Sequence, residues 1–477
     1  MKRLTEGKKV EYKTQEEILL RGDEAIGKTF RQIDKYGRVD SDGIKGGIGH
    51  VIEESLYGYN INSDAEPDFK EAGVELKVTG LIKDKTGYRA KERLVLNIIN
   101  YMEEAYTTFD TSSFWRKNKR LMLLFYEYVP GCHPGDFKII EKLLYKYPAE
   151  DLAIIKDDWK KIVDKIRAGK AHEISEGDTL YLGACTKGAT AASSLRRQPF
   201  SDVPAKQRAY CLKNKYMTYI VKKYVFGDAR DEKIIKNVAD LTGKSFESYV
   251  VDKLAAYKGK SVDELKKEFN IISTAKNSGA MIAYKILGIK GNKAAELESA
   301  GVLVKTIRIQ HNGKIKESMS FPPFRFLDLV TESWEDSTFG NALRDSRFLF
   351  IVYRYDHNNV LRLMGGQFWN IPFDDLETHV KSMWERMHDL VSYGQIKLTI
   401  KNDVVFNNFP AKTENPVSHV RPHGANRMTV NPLPDGTTLT VETDGSFYWP
   451  YKDKFTTQCF WLNNDYILSQ LDYKFKQ

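Results

Sequence analysis

The sequence has few cysteines and lacks long hydrophobic runs, and each of these absences excludes a class of protein. Its four cysteines lie far apart in 477 residues and form no CxxC pair, which argues against a disulfide framework or a zinc ribbon. No segment approaches the roughly 20 consecutive apolar residues of a membrane-spanning helix, and the first residues lack a signal-peptide pattern. We therefore predict a cytoplasmic protein that has no membrane partner.

The composition is that of a folded chain with a modest excess of positive charge. Hydrophobic residues make up 42% of the sequence and charged residues 29%, which excludes disordered and collagen-like proteins. Lysine and arginine (73) outnumber aspartate and glutamate (64), so the formal net charge is +9. This length predicts two or three domains. The positive charge suits a polyanionic partner such as nucleic acid, although many basic proteins have no such partner.

The two halves of the chain resemble each other. Seven segments of the first half have counterparts in the second half, in the same order and with a slowly changing offset; residues 72–78, for example, correspond to residues 300–306. A shared order of this kind is typical of a duplicated domain. We therefore predict two tandem α/β domains, over residues 1–230 and 245–477. Two unrelated α/β domains with a chance similarity are the alternative.

Three charged residues of the first half form a pattern that suits phosphate chemistry. Because a strand alternates its faces, Glu75 and Lys77 point to the same side of the predicted strand. Asp68 lies seven residues before Glu75 and can approach it from the preceding turn. Two converging carboxylates form the oxygen-rich kind of site that Mg²⁺ favours, and Lys77 can position or stabilise a nucleophile beside it. The alternative is a surface strand whose charges are merely solvated.

The second half keeps the scaffold of this site but loses its acidic side chains. The corresponding pairs are Glu53 and Ala283, Asp68 and approximately Glu296, Glu75 and Leu303, and Lys77 and Lys305. Replacing a glutamate by leucine removes a metal ligand. We therefore interpret the first half as a catalytic domain and the second as a duplicate that only binds.

Three motifs resemble successive motifs of the MutH / Sau-three-A family of DNA endonucleases. They are residues 49–53, Asp68 with residues 75–77, and residues 111–117, and the similarity extends over nearly the whole chain. The resemblance implies two tandem restriction-endonuclease-like (MutH-like) domains, each with a mixed central sheet flanked by helices. It also implies a Mg²⁺-dependent type II restriction endonuclease that cuts double-stranded DNA at GATC. The second domain then binds a further DNA site as an allosteric effector.

The resemblance assigns catalytic roles by position in this sequence. Asp68 and Glu75 become metal ligands, and Lys77 becomes the catalytic lysine. Glu53 becomes a helix carboxylate that supports the metal or the lysine, with Glu54 as the alternative because an extra residue precedes the next glycine. Lys117 matches a second active-site lysine of the family, near the scissile phosphate; a basic approach to a buried strand is the alternative.

Basic loops after matching strands are candidates for DNA contacts, since the counterpart loop of the family enters a DNA groove. The candidates are Lys187, Arg196 and Arg197 in the first half, and Arg421 and His423 in the second. Arginine is the usual donor to guanine in the major groove. The first half has Cys185 at the position of Arg421, so this arginine occurs only in the second copy. Solvated basic turns are the alternative for all five.

We therefore predict a Mg²⁺-dependent type II restriction endonuclease specific for GATC. One active site hydrolyses one strand, so we expect a DNA-induced dimer or a second docking event for a double-strand cut. A strand-nicking enzyme of mismatch repair is one alternative, although such family members have a single domain. A GATC-binding regulator without catalysis is another, although a regulator has no need of two carboxylates beside phosphates.

Overall fold

The computed structural model describes residues 11–41, 47–59, 65–188, 194–228, 232–272, 278–424, 429–437 and 439–476. The chain divides into two compact units: residues 1–249 with 289–302, and residues 250–288 with 303–477. Across the described ranges, no helix has the length and apolar character needed to cross a membrane. The functional division at residues 230 and 245 stays a prediction.

The helices are mostly short, and the longest, α6, contributes a whole apolar face to the first unit. In α6, Ile155, Trp159, Ile162 and Ile166 recur at helical spacing and are buried. The helices are α1 (Gln15–Asp23), α2 (Phe30–Ile33), α3 (Gly47–Val51), α4 (Tyr101–Glu104), α5 (Ser113–Asn118), α6 (Ala149–Arg167), α7 (Asn214–Ile220), α8 (Phe246–Ala255), α9 (Val262–Glu268), α10 (Ser278–Ile286), α11 (Ala295–Ala300), α12 (Phe326–Leu329), α13 (Thr338–Arg344), α14 (Lys381–Ser392), α15 (Asn464–Gln470) and α16 (Tyr473–Lys476).

The described part of the first unit contains a four-stranded mixed sheet, a three-stranded antiparallel sheet and a two-stranded antiparallel hairpin. Its strands are β1 (Glu75–Asp84), β2 (Gly87–Ala90), β3 (Leu94–Ile98), β4 (Leu121–Glu127), β5 (Lys138–Tyr145), β6 (Leu182–Thr186), β7 (Leu195–Gln198), β8 (Ser201–Lys206) and β9 (Arg208–Leu212). The mixed sheet has the order β2-β1-β4-β5, in which only β1 and β4 are parallel. Strand β9 pairs antiparallel with both β3 and β6, and β7 and β8 form a hairpin.

The second unit repeats strand pairings of the two larger sheets. Its strands are β10 (Leu303–Ile309), β11 (Met319–Phe324), β12 (Phe348–Tyr355), β13 (Leu361–Trp369), β14 (Lys397–Lys401), β15 (Val404–Asn407), β16 (Ser418–Arg421), β17 (Val430–Pro432), β18 (Thr440–Thr443), β19 (Lys454–Thr456) and β20 (Gln458–Leu462). Strand β12 is parallel to β10 and antiparallel to β13, as β4 is to β1 and β5. Strand β20 lies between β11 and β16, as β9 lies between β3 and β6. The predicted pair of α/β domains with mixed sheets is thereby confirmed.

The central strand of each mixed sheet forms the core of its unit. Strands β4 and β12 are buried along almost their whole length, as expected for continuous apolar runs covered on both faces. In the second unit the rings of Phe350 and Trp369 stack across β12 and β13, with centroids 5.3 Å apart. Strands β1 and β10 pair with these buried strands, and this pairing sets the positions of their first residues, Glu75 and Leu303.

The segment that holds α11 folds into the first unit, and this bears on one predicted correspondence. The buried carboxylate of Glu296 accepts hydrogen bonds from the backbone N–H groups of Ile234 and Ile235, both at 2.9 Å. Glu296 therefore stabilises the connecting segment of the first unit. Glu296 lies seven residues before β10, as Asp68 lies seven before β1, but it contacts the connecting segment, and its approximate correspondence with Asp68 stays a prediction.

Candidate active site

A tight turn before β1 brings Asp68 back to the start of the strand. Phe69 and Val74 form an antiparallel bridge, and Gly73 has the positive φ of 64° that this turn requires. The backbone N–H of Asp68 donates to Oε2 of Glu75 at 3.1 Å. Asp68 in turn accepts a hydrogen bond at Oδ2 from the backbone of the residue after Glu75, at 3.0 Å. The two predicted metal ligands thus lie side by side.

Two lysines approach the same carboxylate oxygen. Nζ of Lys77 lies 2.5 Å from Oε1 of Glu75, and Nζ of Lys117 lies 3.7 Å from the same atom. Lys77 extends from the same face of β1, whereas Lys117 comes from α5, whose first turn is capped by the hydroxyl of Ser112. The Glu75 side chain is only 2% exposed. The structure therefore brings together four of the five residues predicted for catalysis.

The fifth residue, Glu53, interacts electrostatically with this group. Burial, and next the charge of Asp68, raise the pKa of Glu53 to about 7. Burial also raises the pKa of Glu75, and Asp68 contributes to this shift while Lys77 opposes it. Burial is the main cause of both shifts, and the negative charge of Asp68 adds to it.

A π-helical turn separates the roles of Glu53 and Glu54. After α3 the chain continues as a π-helix over Ile52–Leu56, closed by a hydrogen bond from Tyr57 N to Ile52 O at 3.0 Å. Such a turn accommodates one extra residue in a helix and is common at functional sites. Glu54 faces away and forms two 2.7 Å hydrogen bonds with the guanidinium of Arg38. Glu53 is therefore the residue of this pair that faces the carboxylates.

Tyr59 belongs to this group and was missed by the sequence analysis. Its hydroxyl is buried and has no hydrogen-bond partner in the part of the chain that the structure describes. Burial, followed by the charges of Asp68, Glu53 and Glu75, raises its pKa well above the usual range. No spacing or motif distinguishes this tyrosine from the 25 others in the sequence.

The donor atoms suit a hard cation held by two residues. Asp68 and Glu75 supply carboxylate oxygens, which Mg²⁺ prefers, and a divalent cation would balance their negative charge. Within the described ranges, no group of three or more His, Cys, Asp or Glu side chains is arranged to hold a metal ion. Asp68 and Glu75, whose carboxylates lie side by side, are the residues placed to hold one.

The second unit has the same strand pair without the acids. Leu303 begins β10 opposite Phe348, as Glu75 begins β1 opposite Leu121. Burial lowers the pKa of Lys305, and among the described residues this lysine forms no ion pair with a carboxylate. The scaffold is thus repeated, whereas the charge pattern needed to hold a cation is not.

The DNA-contact candidates of the first unit lie directly after β6 and within β7. Lys187 follows β6 and its backbone N–H donates to Gln207 O at 2.7 Å. Arg196 and Arg197 are exposed on β7, and Arg196 donates to the side chain of Gln207 at 2.9 Å. The three residues are held on the same part of the fold, and a role in DNA contact stays a prediction.

In the second unit the corresponding candidates surround one aromatic ring. The guanidinium carbon of Arg421 lies 4.0 Å from the ring centroid of Trp461. The ring of His423 is nearly parallel to the indole, with centroids 5.7 Å apart, and the Trp461 N–H donates to Arg421 O at 3.0 Å. We call Arg421, His423 and Trp461 the tryptophan platform. Cys211 occupies the matching strand position in the first unit, so the platform is specific to the second.

The fold is a duplicated α/β fold with a mixed sheet in each copy. In the first copy, carboxylates and lysines converge where the parallel strands β1 and β4 begin. Together these features define a restriction-endonuclease-like nuclease. The family model of the DNA mismatch repair enzyme MutH matches residues 57–158. The type II restriction enzyme Sau3AI of Staphylococcus aureus is 39% identical over 97% of this chain and 99% of its own length. MutH of Shewanella woodyi is 26% identical over 38% of this chain and 78% of its own, and MutH of Vibrio campbellii is 24% identical over 45% and 96%. The chain belongs to the MutH / Sau3AI family of DNA endonucleases.

Proposed function

We propose that the chain is a type II restriction endonuclease that uses Mg²⁺ to hydrolyse both strands of DNA at GATC. The convergence of Asp68, Glu75 and Lys77 at the start of β1 carries this proposal. The near full-length similarity to a type II restriction enzyme supports double-strand cutting. Because the described residues form one such site, a dimer formed on the DNA is favoured for cutting both strands.

The residues of the site divide the work of phosphodiester hydrolysis. Asp68 and Glu75 would hold Mg²⁺, which polarises a phosphoryl oxygen and lowers the pKa of a bound water. Lys77 holds a positive charge beside Glu75, where it can orient the attacking water and stabilise the charge of the transition state. Lys117, from α5, places a second positive charge near Oε1 of Glu75. There it can orient the scissile phosphate.

The first test is plasmid cleavage with the variant Lys77→Met, which keeps the length of the side chain and removes its charge. We expect cleavage to fall by about 100-fold, because a preorganised charge at a developing anion is worth about that much. The cleavage ends of the unaltered protein should map to GATC and vanish when Mg²⁺ is chelated.

Lys305→Met is the matched control, since it removes the lysine at the same strand position of the second unit. It should leave the cleavage rate of DNA with a single site within about threefold of the original. Cleavage ends at other sequences would contradict specificity for GATC. Nicked circles as the final product would indicate a strand-nicking enzyme. Equal losses of activity in both variants would contradict the catalytic role of Lys77.

A second prediction separates Glu53 from its neighbour. We expect Glu53→Gln to lower cleavage about tenfold or more, because Glu53 faces the carboxylates and lysine of the site. Glu54→Gln should instead cost about 1 kcal/mol of unfolding free energy, because it weakens the partly buried pair with Arg38. Cleavage rates and urea unfolding curves of both variants measure the two effects, and the reverse result would assign the supporting role to Glu54.

A further inference from the structure

The first unit contains a lysine-lined cavity far from the proposed cleavage site. Its volume is about 650 Å³. Six lysines line it: Lys85, Lys215, Lys222, Lys223, Lys233 and Lys293. We call this cavity the lysine basin. Lys85 follows the last residue of β1, whereas Glu75 is the first residue of this ten-residue strand, so the two sites lie about 30 Å apart along it.

The lysines reach the basin from separate parts of the chain that the fold holds together. Lys215 lies in the first turn of α7, which packs against α11. Its side chain lies against Gly301, at the end of α11. Lys222 and Lys223 belong to the π-helical turn Val221–Val225 that continues α7. Lys215, Lys222 and Lys223 thus come from one continuous helical segment, whereas Lys85, Lys233 and Lys293 come from a turn and irregular segments that line the same concave surface.

Acidic side chains compensate only part of this charge. Among the described lining residues, Asp228 and Glu298 are acidic, so the lysines outnumber the acids there by four. Lys233 forms an ion pair with Glu150. The lysines that form no ion pair with any described residue are Lys85, Lys215, Lys222 and Lys293. Ammonium groups brought this close repel one another, and a bound anion would remove the repulsion.

Positive charge also exceeds negative charge at the half-buried end of the basin, around Lys223. Nζ of Lys223 donates to the hydroxyl of Tyr219 at 2.8 Å and lies over the ring of Tyr224. Burial, and next the positive charge of Lys233, lower the pKa of Lys223. The hydroxyl groups of Thr86 and Thr218 add neutral polar groups to the lining.

We propose that the lysine basin binds a small anion with several phosphate groups, of the triphosphate class. The cavity has the size of a site for a nucleotide-sized ligand. Among the residues described there, the lining consists of six lysines, two acids, hydroxyl side chains and a single tyrosine, so it suits a phosphate chain better than a base. A DNA duplex presents its phosphates along an extended track, whereas these lysines line one half-open concave space.

Titration calorimetry of the full chain with inorganic triphosphate tests the proposal. We expect saturable 1:1 binding at low salt that weakens as salt is added, and a rise in Tm of about 5–10 °C at 100 times Kd. The double variant Lys222→Ala/Lys293→Ala should bind at least about tenfold more weakly. ATP and AMP form two further arms: ATP binding like triphosphate indicates the phosphate chain, and tighter ATP binding indicates a nucleotide.

The control Lys258→Ala/Lys267→Ala removes the same charge from exposed lysines of the second unit and should bind triphosphate normally. If the double variant folds poorly, Lys215→Glu serves as a second basin variant. Cleavage of single-site DNA shows that each variant is folded. Absence of saturable binding would overturn the proposal, as would equal losses in basin and control variants. Stoichiometric displacement of triphosphate by duplex DNA without GATC would assign the basin to DNA instead.

Discussion

Replacing Glu75 by glutamine is expected to reduce DNA cleavage by about 1000-fold, equivalent to about 4 kcal/mol of transition-state stabilisation. The amide keeps the shape of the side chain but removes the charge that Asp68 and Glu75 would use together to hold Mg²⁺. It also removes the partner of Lys77 and Lys117, which both approach Oε1 of Glu75. Single-turnover cleavage of a short duplex with one GATC site measures this effect without the step of finding a second site.

The same variant should not be less stable than the original protein. The carboxylate of Glu75 is almost completely buried beside a second carboxylate, an arrangement that costs stability and that proteins keep for function. We therefore expect an unchanged or higher Tm, together with unchanged DNA binding when Ca²⁺ replaces Mg²⁺. Leu303→Gln makes the matched change at the start of β10 and should leave the single-turnover rate unchanged. Cleavage by Glu75→Gln within about tenfold of the original would remove Glu75 from the catalytic set.

The duplicated fold could be predicted because its signal is local and repeated. Strands β4 and β12 are continuous apolar runs, and each lies parallel to a strand that begins with the compared residues, Glu75 or Leu303. The approach of Asp68 to Glu75 was likewise predictable, since a turn of a few residues and the alternation of one strand are sufficient.

The other features depend on contacts between distant residues, and no local pattern predicts them. The choice between Glu53 and Glu54 depends on a π-helical turn and on Arg38, which binds Glu54. Tyr59 joins the site only because the chain after the π-helical turn passes beside Asp68 and Glu75. The lysine basin is the hardest of these features to predict from the sequence. Its lysines are spread over residues 85 to 293, and each has the pattern of an ordinary surface charge.

The contrast between the two units supports different tasks in DNA binding. The first unit has the carboxylates and, at the strand positions that match the tryptophan platform, Cys185 and Cys211. A hydrogen bond from Cys211, together with nearby cations such as Lys187, lowers the pKa of Cys185 to about 6 although burial opposes this. The second unit has the platform and lacks the carboxylates. We therefore expect recognition of a second DNA site to be measurable separately from cleavage.

If the second unit binds an effector site, replacing Arg421 by alanine is expected to reduce the advantage of DNA with two GATC sites over DNA with one. The guanidinium of Arg421 lies over the indole of Trp461, and a guanidinium that donates two hydrogen bonds to guanine discriminates by about 1–3 kcal/mol, or about 5- to 150-fold. The variant should therefore need that much more effector DNA for activation, with an unchanged single-turnover rate. Cleavage of one-site and two-site plasmids, with a short GATC duplex added as effector, measures both quantities.

Arg421→Lys separates recognition of a base from attraction to phosphate. Lysine keeps the positive charge but lacks the planar pair of donors, so it should preserve the salt dependence of effector binding and lose most of the preference for GATC. If Arg421 only contacts phosphate, lysine will restore activation nearly completely, and the loss in the alanine variant will be the same for every DNA sequence. If both variants activate normally, the tryptophan platform is not the effector site. A rate loss on one-site DNA would instead link Arg421 to catalysis, because no effector site is needed there.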